Sequence, residues 1–329
     1  MHNMELKTDF IKFDFHFYDE FQYLCMKNAF FQLLEYYEFK NPLLYLKTGF
    51  ELKINVKNDI FSLYKQYPCN PFFEMDKVNS GKGSDFESIF KFNLSHLPTI
   101  LLVDVFYLPF RNEFQKYHAG HFIILFDYDK NLNKVGVTDW YAPHFFKGYL
   151  DINDFIKART SNNPTDVFET FSGKAIDNYW YQFDKNINLI DPKYNFDLNV
   201  ESIKRTINNQ KDSIYSGIEA LQKMRDLILL LKETSETYAK SIMKDYHNQV
   251  FIYYRTSLFS KKYFEQVDEI LNIPSAKKLL YFSAICYEAL NNLNFLFLQN
   301  CIRFSEDNLD KMSVIIEELI KQYVEINKI

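Results

Sequence analysis

Cysteine is scarce in this chain: four in 329 residues, Cys25, Cys69, Cys286 and Cys301, with no CxxC pair and no regular spacing. That excludes a disulfide framework and a thiolate zinc site, and a reducing cytoplasm is the compartment expected. Positive charge is also short, with 38 Lys and Arg against 43 Asp and Glu and a net charge of −5. A nucleic-acid partner would call for the opposite sign. No run approaches the ~18 uninterrupted apolar residues of a membrane span. The first nine residues hold no apolar stretch of signal-peptide length, so a cytoplasmic chain with no membrane partner is expected. The loop Asn79-Ser80-Gly81-Lys82-Gly83-Ser84-Asp85 is glycine-rich but lacks the spacing of a phosphate-binding loop.

What is present in quantity is ordinary for a globular protein, with 47% hydrophobic and 25% charged residues in a chain long enough for two cores. The 34 Phe and 24 Tyr are read as core filling. Against that background Cys25 stands out by position. Ala29, Phe30, Leu33, Leu34 and Tyr37 recur at three- and four-residue steps until Asn41-Pro42, which predicts an amphipathic helix opening at Cys25, with Met26 and Phe31 off its stripe. A helix start carries unpaired backbone N–H groups and a partial positive charge, which lower a thiol pKa and can hold an oxyanion. The plain alternative is a small buried hydrophobe.

A second segment supplies the rest of the chemistry. Tyr117-His118-Ala119-Gly120-His121 runs directly into the apolar strand Phe122–Asp127, and Lys134–Thr138 predicts the next strand after the turn 129–133. His121 at the start of one strand and Asp139 at the end of its antiparallel neighbour should then sit side by side. A cysteine on a helix, a histidine on a strand and a carboxylate on the paired strand form a papain-type set: nucleophile, proton shuttle and orienting acid. His118, His121 and His144 do not make a metal site, because imidazoles three apart on an extended segment face opposite ways and no cysteine or paired carboxylate completes one.

These blocks, Cys25–Tyr37, Leu97–Phe110, His118–Tyr128 and Val137–Asp139, resemble the N-terminal domain of the butirosin biosynthesis protein H family. The likeness spans roughly the first half of the chain. It rests on Asp104 and Tyr107 in a strand that ends in Leu108-Pro109-Phe110, followed by the paired histidines and an apolar strand. The resemblance implies a papain-like, C39-peptidase-like fold and an acyltransferase of antibiotic-type biosynthesis. Such an enzyme takes an acyl group from the phosphopantetheine thioester of an acyl or peptidyl carrier protein and delivers it to an amine or hydroxyl of a small-molecule acceptor. It implies Cys25 as nucleophile, His121 as acid and base, Asp139 as the orienting acid, and no cofactor. It places Asp104 and Tyr107 near the catalytic pair, Asp104 either binding the acceptor amine or serving as a buried hydrogen-bonded carboxylate. His118 is expected at the entrance, and Gln22 is the candidate oxyanion donor. The family commonly carries histidine beside the cysteine, where this chain has Leu24.

The texture changes near residues 185–200. Ile203, Ile207, Ile214, Ile218, Leu221, Ile228 and Leu231 read as one long helical stripe, and Ile273-Pro274-Ser275 opens another helix running to about Arg303. Leu309, Met312, Ile316, Leu319, Tyr323 and Ile326 form a third seam. The expected fold is therefore α+β, a papain-like domain with a central antiparallel sheet over residues 1–190 followed by an all-α helical bundle over 191–329. The stripes of the bundle are read first as its own core, with covering the acceptor pocket, docking the carrier or forming a homodimer as further uses. Arg111, Lys116, Lys147 and Arg159 are read as solvated charge or as a docking patch for an acidic carrier. Two rival readings are a C39-like cysteine peptidase or amidohydrolase using the same residues, and a catalytically silent binding or scaffold module in which Cys25 is structural.

Overall fold

The computed structural model describes residues 24–48, 52–63, 72–73, 78–82, 97–129, 131–140, 145–166, 171–207, 214–326 and 328. The architecture is α+β. Its strands are β1 (Lys53–Lys57), β2 (Ile60–Leu63), β3 (Asn79–Gly81), β4 (Thr99–Asp104), β5 (Gly120–Asp129), β6 (Lys134–Asp139), β7 (Phe146–Asp151), β8 (Trp180–Gln182) and β9 (Ile214–Ser216). Its helices are α1 (Cys25–Tyr36), α2 (Ile152–Thr160), α3 (Pro192–Ile207), α4 (Gly217–Leu230), α5 (Glu236–Gln266), α6 (Pro274–Ile302) and α7 (Glu306–Ile326). A six-stranded antiparallel sheet in the order β3-β8-β4-β5-β6-β7 carries the first half, and β2-β1-β9 form a second, small sheet.

The unbroken apolar runs of β4 and β5 report a sheet covered on both faces. Alternate residues part company accordingly. Ile100, Leu102, Phe122 and Ile124 pack with α1, while Leu101, Val103, Ile123 and Leu125 pack with Ile152, Phe155 and Ala158 of α2. Helix α1 is buried nearly all round: it packs on β5 and on the turn that follows the helix, Phe31 lies against Trp140, and Lys27 Nζ sits over the Phe259 ring. Met26 and Phe31, which the helical stripe leaves outside, are buried at 3% exposure each. Phe30 sits among Phe72, Tyr181 and Phe183 with ring centroids 5.1 to 5.7 Å apart. Truncating a phenylalanine held this way costs ~3–5 kcal/mol. The helix stops at Tyr36, before Asn41-Pro42, and Pro42 opens a separate 3-10 turn, Pro42–Tyr45.

In the second half α5 packs on α6, α4 on α7 and α6 on α7. The seam Leu309, Met312, Ile316, Leu319, Tyr323 and Ile326 is buried throughout. The stripe from Ile203 to Leu231 is not one helix. Ile203 and Ile207 belong to α3, Ile214 to a strand, Ile218, Leu221 and Ile228 to α4, which Gly217 enters with φ +56°, and Leu231 to the 3-10 turn that follows. The chain turns there so that β9 can pair with β1, Ile54 facing Tyr215. Asn79–Gly81, read as part of a loop, is an edge strand paired with β8.

The expected boundary at 190/191 falls just before α3, but the core runs through it. Apolar residues of α1, the large sheet and α4 to α7 form one buried cluster. Two asparagines of α3 tie down the segment after Pro42: Asn195 Nδ2 donates to Leu44 O at 2.8 Å, and Asn199 Oδ1 accepts from Thr48 N at 2.8 Å. Phe61 stacks on Tyr246 of α5 at 3.7 Å. Among the described residues no helix is long and apolar enough to cross a membrane.

Candidate active site

Three elements meet at one end of the large sheet: the start of α1, the start of β5 and the end of β6. Register decides whether their side chains can meet. Near the turn, Tyr128 faces Val135 and Asp127 faces Gly136; beyond a β-bulge, Leu125 faces Val137 and Ile124 faces Thr138. Extended by one residue, the second register sets Asp139 across from Ile123, on the same face as His121 and diagonal to it. Without the extra residue, Phe126, Asp139 would fall across from Ile124 and belong to the opposite face. Gly136 leaves space for the bulge, since a Cβ there would lie 2.8 Å from both the Phe126 ring and Asp127 Cβ.

The structure thus brings Cys25, His121 and Asp139 together. His121 Nε2 is 2.8 Å from Asp139 Oδ1, with both side chains almost fully buried. That leaves Nδ1 as the nitrogen available to the thiol, and Cys25 is hydrogen-bonded to the His121 side chain and to the Phe122 backbone N–H. Among the described residues no side chain caps the first turn of α1, where Leu24 stands at the N-cap, and that turn carries no acidic residue. The positive end of the helix is therefore left to the thiolate. Asn28 Nδ2 donates to Trp140 O at 3.0 Å, fixing the helix start against the residue after Asp139.

The electrostatics follow. Burial alone would push the Cys25 thiol up, but the His121 imidazolium, its hydrogen bond and the Phe122 N–H outweigh burial and the Asp139 charge, and hold the thiol below its ordinary 9.0. Burial likewise would lower His121, yet Asp139 and the Cys25 thiolate raise it to about 9. The two shifts run in opposite directions, the thiol down and the imidazole up, because each group's charge favours the other's. The other described cysteines behave oppositely. Burial drives Cys286 well above its ordinary value, and Cys301 is also raised, chiefly by burial.

Arg111 is the member that sequence reasoning missed. Neither solvated charge nor a docking patch describes it: its side chain is only 4% exposed, and Nη1 donates to Asp139 Oδ2 at 3.2 Å. Its Nε and Nη2 donate to the two oxygens of Glu113 at 3.2 and 3.1 Å. Glu113 is held below the usual carboxylate range, with Arg111 overcoming burial and His121 adding to the effect. The only trace in sequence is an arginine and a glutamate two apart in the turn ahead of His118. Arg159 is also buried rather than superficial, donating to the carbonyls of Leu102, Asn178 and Tyr179 with burial lowering it to about 9. Of the four cations considered for carrier docking, Lys116 and Lys147 are exposed.

Asp104 fits the buried reading rather than the amine-binding one. Its carboxylate has no exposure and accepts from Phe106 N, Ala119 N and Ser161 Oγ while facing His118 Nδ1 at 2.7 Å. His118 stacks on Phe106, with centroids 4.1 Å apart, and its side chain is 21% exposed. Tyr107 lies edge-on to the same imidazole at 6.2 Å. Gln22, Cys69 and His144 lie outside the described residues. Among the described residues no group of three His, Cys, Asp or Glu side chains could hold a metal ion. No protein-family model matches this chain, and no curated protein matches it in sequence.

Proposed function

We propose that this chain is a thiol acyltransferase with a papain-like catalytic half. The observation that carries the reading is the line Cys25–His121–Asp139, in which a thiol at an uncapped helix start is held below its ordinary pKa by a buried, carboxylate-backed imidazole. A structural cysteine needs none of this, as Cys286 illustrates. The Cys25 thiolate attacks the carbonyl carbon of a carrier-bound thioester, and the backbone N–H groups at the start of α1 are the donors for the oxygen that becomes negative. His121 gives its proton to the departing phosphopantetheine thiol. The neutral imidazole then takes a proton from the amine or hydroxyl of a small-molecule acceptor as that group attacks the acyl-enzyme, and the thiolate–imidazolium pair returns. Transfer in place of hydrolysis requires water to be kept from the thioester, and the helical half, which shares one buried apolar cluster with α1 and sets Phe259 against Lys27 of its first turn, is the part of the chain available to do so.

The test is incubation with a panel of acylated carrier proteins, following the mass of intact protein and mapping the adduct. An acyl group on Cys25 that passes to added amines, with no adduct in Cys25→Ala, supports acyl transfer. Inert thioesters together with Cys25-dependent cleavage of a peptide would replace this reading by the peptidase one.

A further inference from the structure

The nucleophile and the orienting acid are carried by separate elements. Cys25 is the first residue of α1, and Asp139 is the last of β6. The ladder between β6 and β5, the strand that carries His121, runs as far as Thr138 facing Ile124. Asp139 lies one residue beyond it and pairs on the other side with Phe146, the first residue of β7. The carboxylate that orients His121 therefore stands at a strand end, where sheet pairing holds the backbone from one side.

Asn28 closes that end. Its backbone N–H donates to Leu24 O at 3.1 Å, closing the first turn of α1, and its side-chain Nδ2 donates to Trp140 O at 3.0 Å. One residue thus grips the chain neighbours of both Cys25 and Asp139. The contact is sheltered: Asn28 is 1% exposed, and Phe31 lies against Trp140 with ring centroids 5.8 Å apart.

The choice of residue works against the stability of the fold. Met26, Ala29, Phe30, Phe31, Leu33 and Leu34 of the same helix are buried and apolar, and asparagine is a poorer helix former than alanine or leucine. Asn28 Oδ1 is buried and has no hydrogen-bond partner among the described residues. The amide therefore loses water at both polar atoms and regains a bond at one. Gln32, four residues on along the same helix face, is also 1% exposed, and its Nε2 meets no acceptor among the described residues. Of these two buried amides, Asn28 is the one bonded to the strand end that carries Asp139.

We propose that Asn28 is a positioning residue: it locks the first turn of α1 to the end of β6, so that Asp139 stays on His121 while His121 serves Cys25. The inference rests on the acyltransferase reading above and assigns Asn28 no contact with substrate. The charged groups around His121 are Asp139, the Cys25 thiolate and, behind Asp139, Arg111 with Glu113. Asn28→Ala leaves all of them in the chain and changes how firmly Asp139 is held.

The experiment uses the full chain and two readouts. The first is the titration of His121 by NMR with nitrogen-15-labelled histidine, its signal identified by its loss in His121→Ala. The second is the rate at which acetyl coenzyme A acetylates Cys25, followed by the mass of the intact protein. Asp139 and Cys25 hold His121 at about 9. Asn28→Ala should bring that titration down toward the ordinary 6.5 and slow acetylation by ~10–10²-fold. Gln32→Ala, a truncation of equal burial on the same face, should leave the titration in place and the rate within about threefold. In an Asp139→Asn background, adding Asn28→Ala should cost no more than about threefold further, because the group it positions is already gone. An unmoved His121 titration, the full slowing persisting in Asp139→Asn, or an equal effect of Gln32→Ala overturns the proposal. If Asn28→Ala does not fold, Asn28→Ser, whose hydroxyl is one atom shorter than the amide, is read by the same measurements. A wild type whose His121 titrates near 9 but whose Cys25 takes no acetyl group overturns the acyltransferase reading instead, and the titrations alone then decide the role of Asn28.

Discussion

Replacing Arg111 by methionine separates the electrostatics of the site from its packing. The guanidinium holds one oxygen of Asp139 while His121 holds the other, and it grips Glu113 through two bonds. Met keeps much of the volume and removes the charge. Because Arg111 and Asp139 are 4% and 1% exposed, losing the cation leaves a buried carboxylate half-paired, which costs ~3–5 kcal/mol of stability. The same loss removes a positive charge behind the Cys25–His121 pair, so both groups become harder to deprotonate and the acid limb of Cys25 alkylation moves to higher pH. Glu113→Gln is the gentler partner experiment. It removes a negative charge that attracts His121, and should shift both limbs of the profile to lower pH. The assay is the rate of Cys25 alkylation by iodoacetamide against pH, alongside urea unfolding. If Arg111→Met lowers stability while the acid limb stays within ~0.3 unit, about 0.4 kcal/mol, and Glu113→Gln also leaves it in place, Arg111 is a brace and the charge argument is wrong.

Three further predictions follow from the fold and the site. Gly136→Ala pushes a methyl group into Phe126 and Asp127, so it should cost ~1–3 kcal/mol in urea unfolding and lower Cys25 acylation by disturbing the bulge that aligns Asp139; unchanged stability and acylation would remove the bulge from the account. Asp139 and the thiolate hold His121 at about 9, so acylation, which needs the imidazolium as acid, should fall as pH rises through about 9. In Asp139→Asn that limb should move down toward 6.5 in a pH–rate profile, and an unmoved limb would exclude Asp139 from the pair. A fragment ending at residue 190 loses the β9 partner of β1 and the Asn195 and Asn199 clamps, so it should unfold without a cooperative transition in urea; a fragment with native-like Cys25 reactivity would show that the halves fold apart.

Local signals carried far in this chain where an element is decided by its own residues. Pro274 at the first helical position, with Ile273 as its cap, and the seam from Leu309 to Ile326 could be read from spacing alone. The reading failed where tertiary contacts decide. Met26 and Phe31 break the stripe of α1 because that helix is covered beyond its apolar face, Phe31 by Trp140 from the chain after β6. The run from Ile203 to Leu231 keeps its period while the chain leaves the helix to add β9 to another sheet, which no local pattern signals. The 31-residue helix α5 has apolar residues scattered among tyrosines and lysines and gave no clean stripe. At the site, helix start and strand order suggest Cys25, His121 and Asp139, but an even register from the turn would place Asp139 on the wrong face. The bulge at Phe126, and the burial of Arg111 behind Asp139, exist only in three dimensions.

The central claim is that Cys25 is a thiolate made by His121. The direct measurement is the pH dependence of iodoacetamide alkylation at each cysteine, read by peptide mapping in the wild type and in His121→Ala. The account predicts that Cys25 reacts at pH values below its ordinary 9.0, that Cys286 and Cys301 lag behind it, and that His121→Ala returns Cys25 to slow, ordinary behaviour. A wild-type Cys25 that alkylates only as pH approaches about 8.5 or above, with a profile His121→Ala does not change, would contradict it.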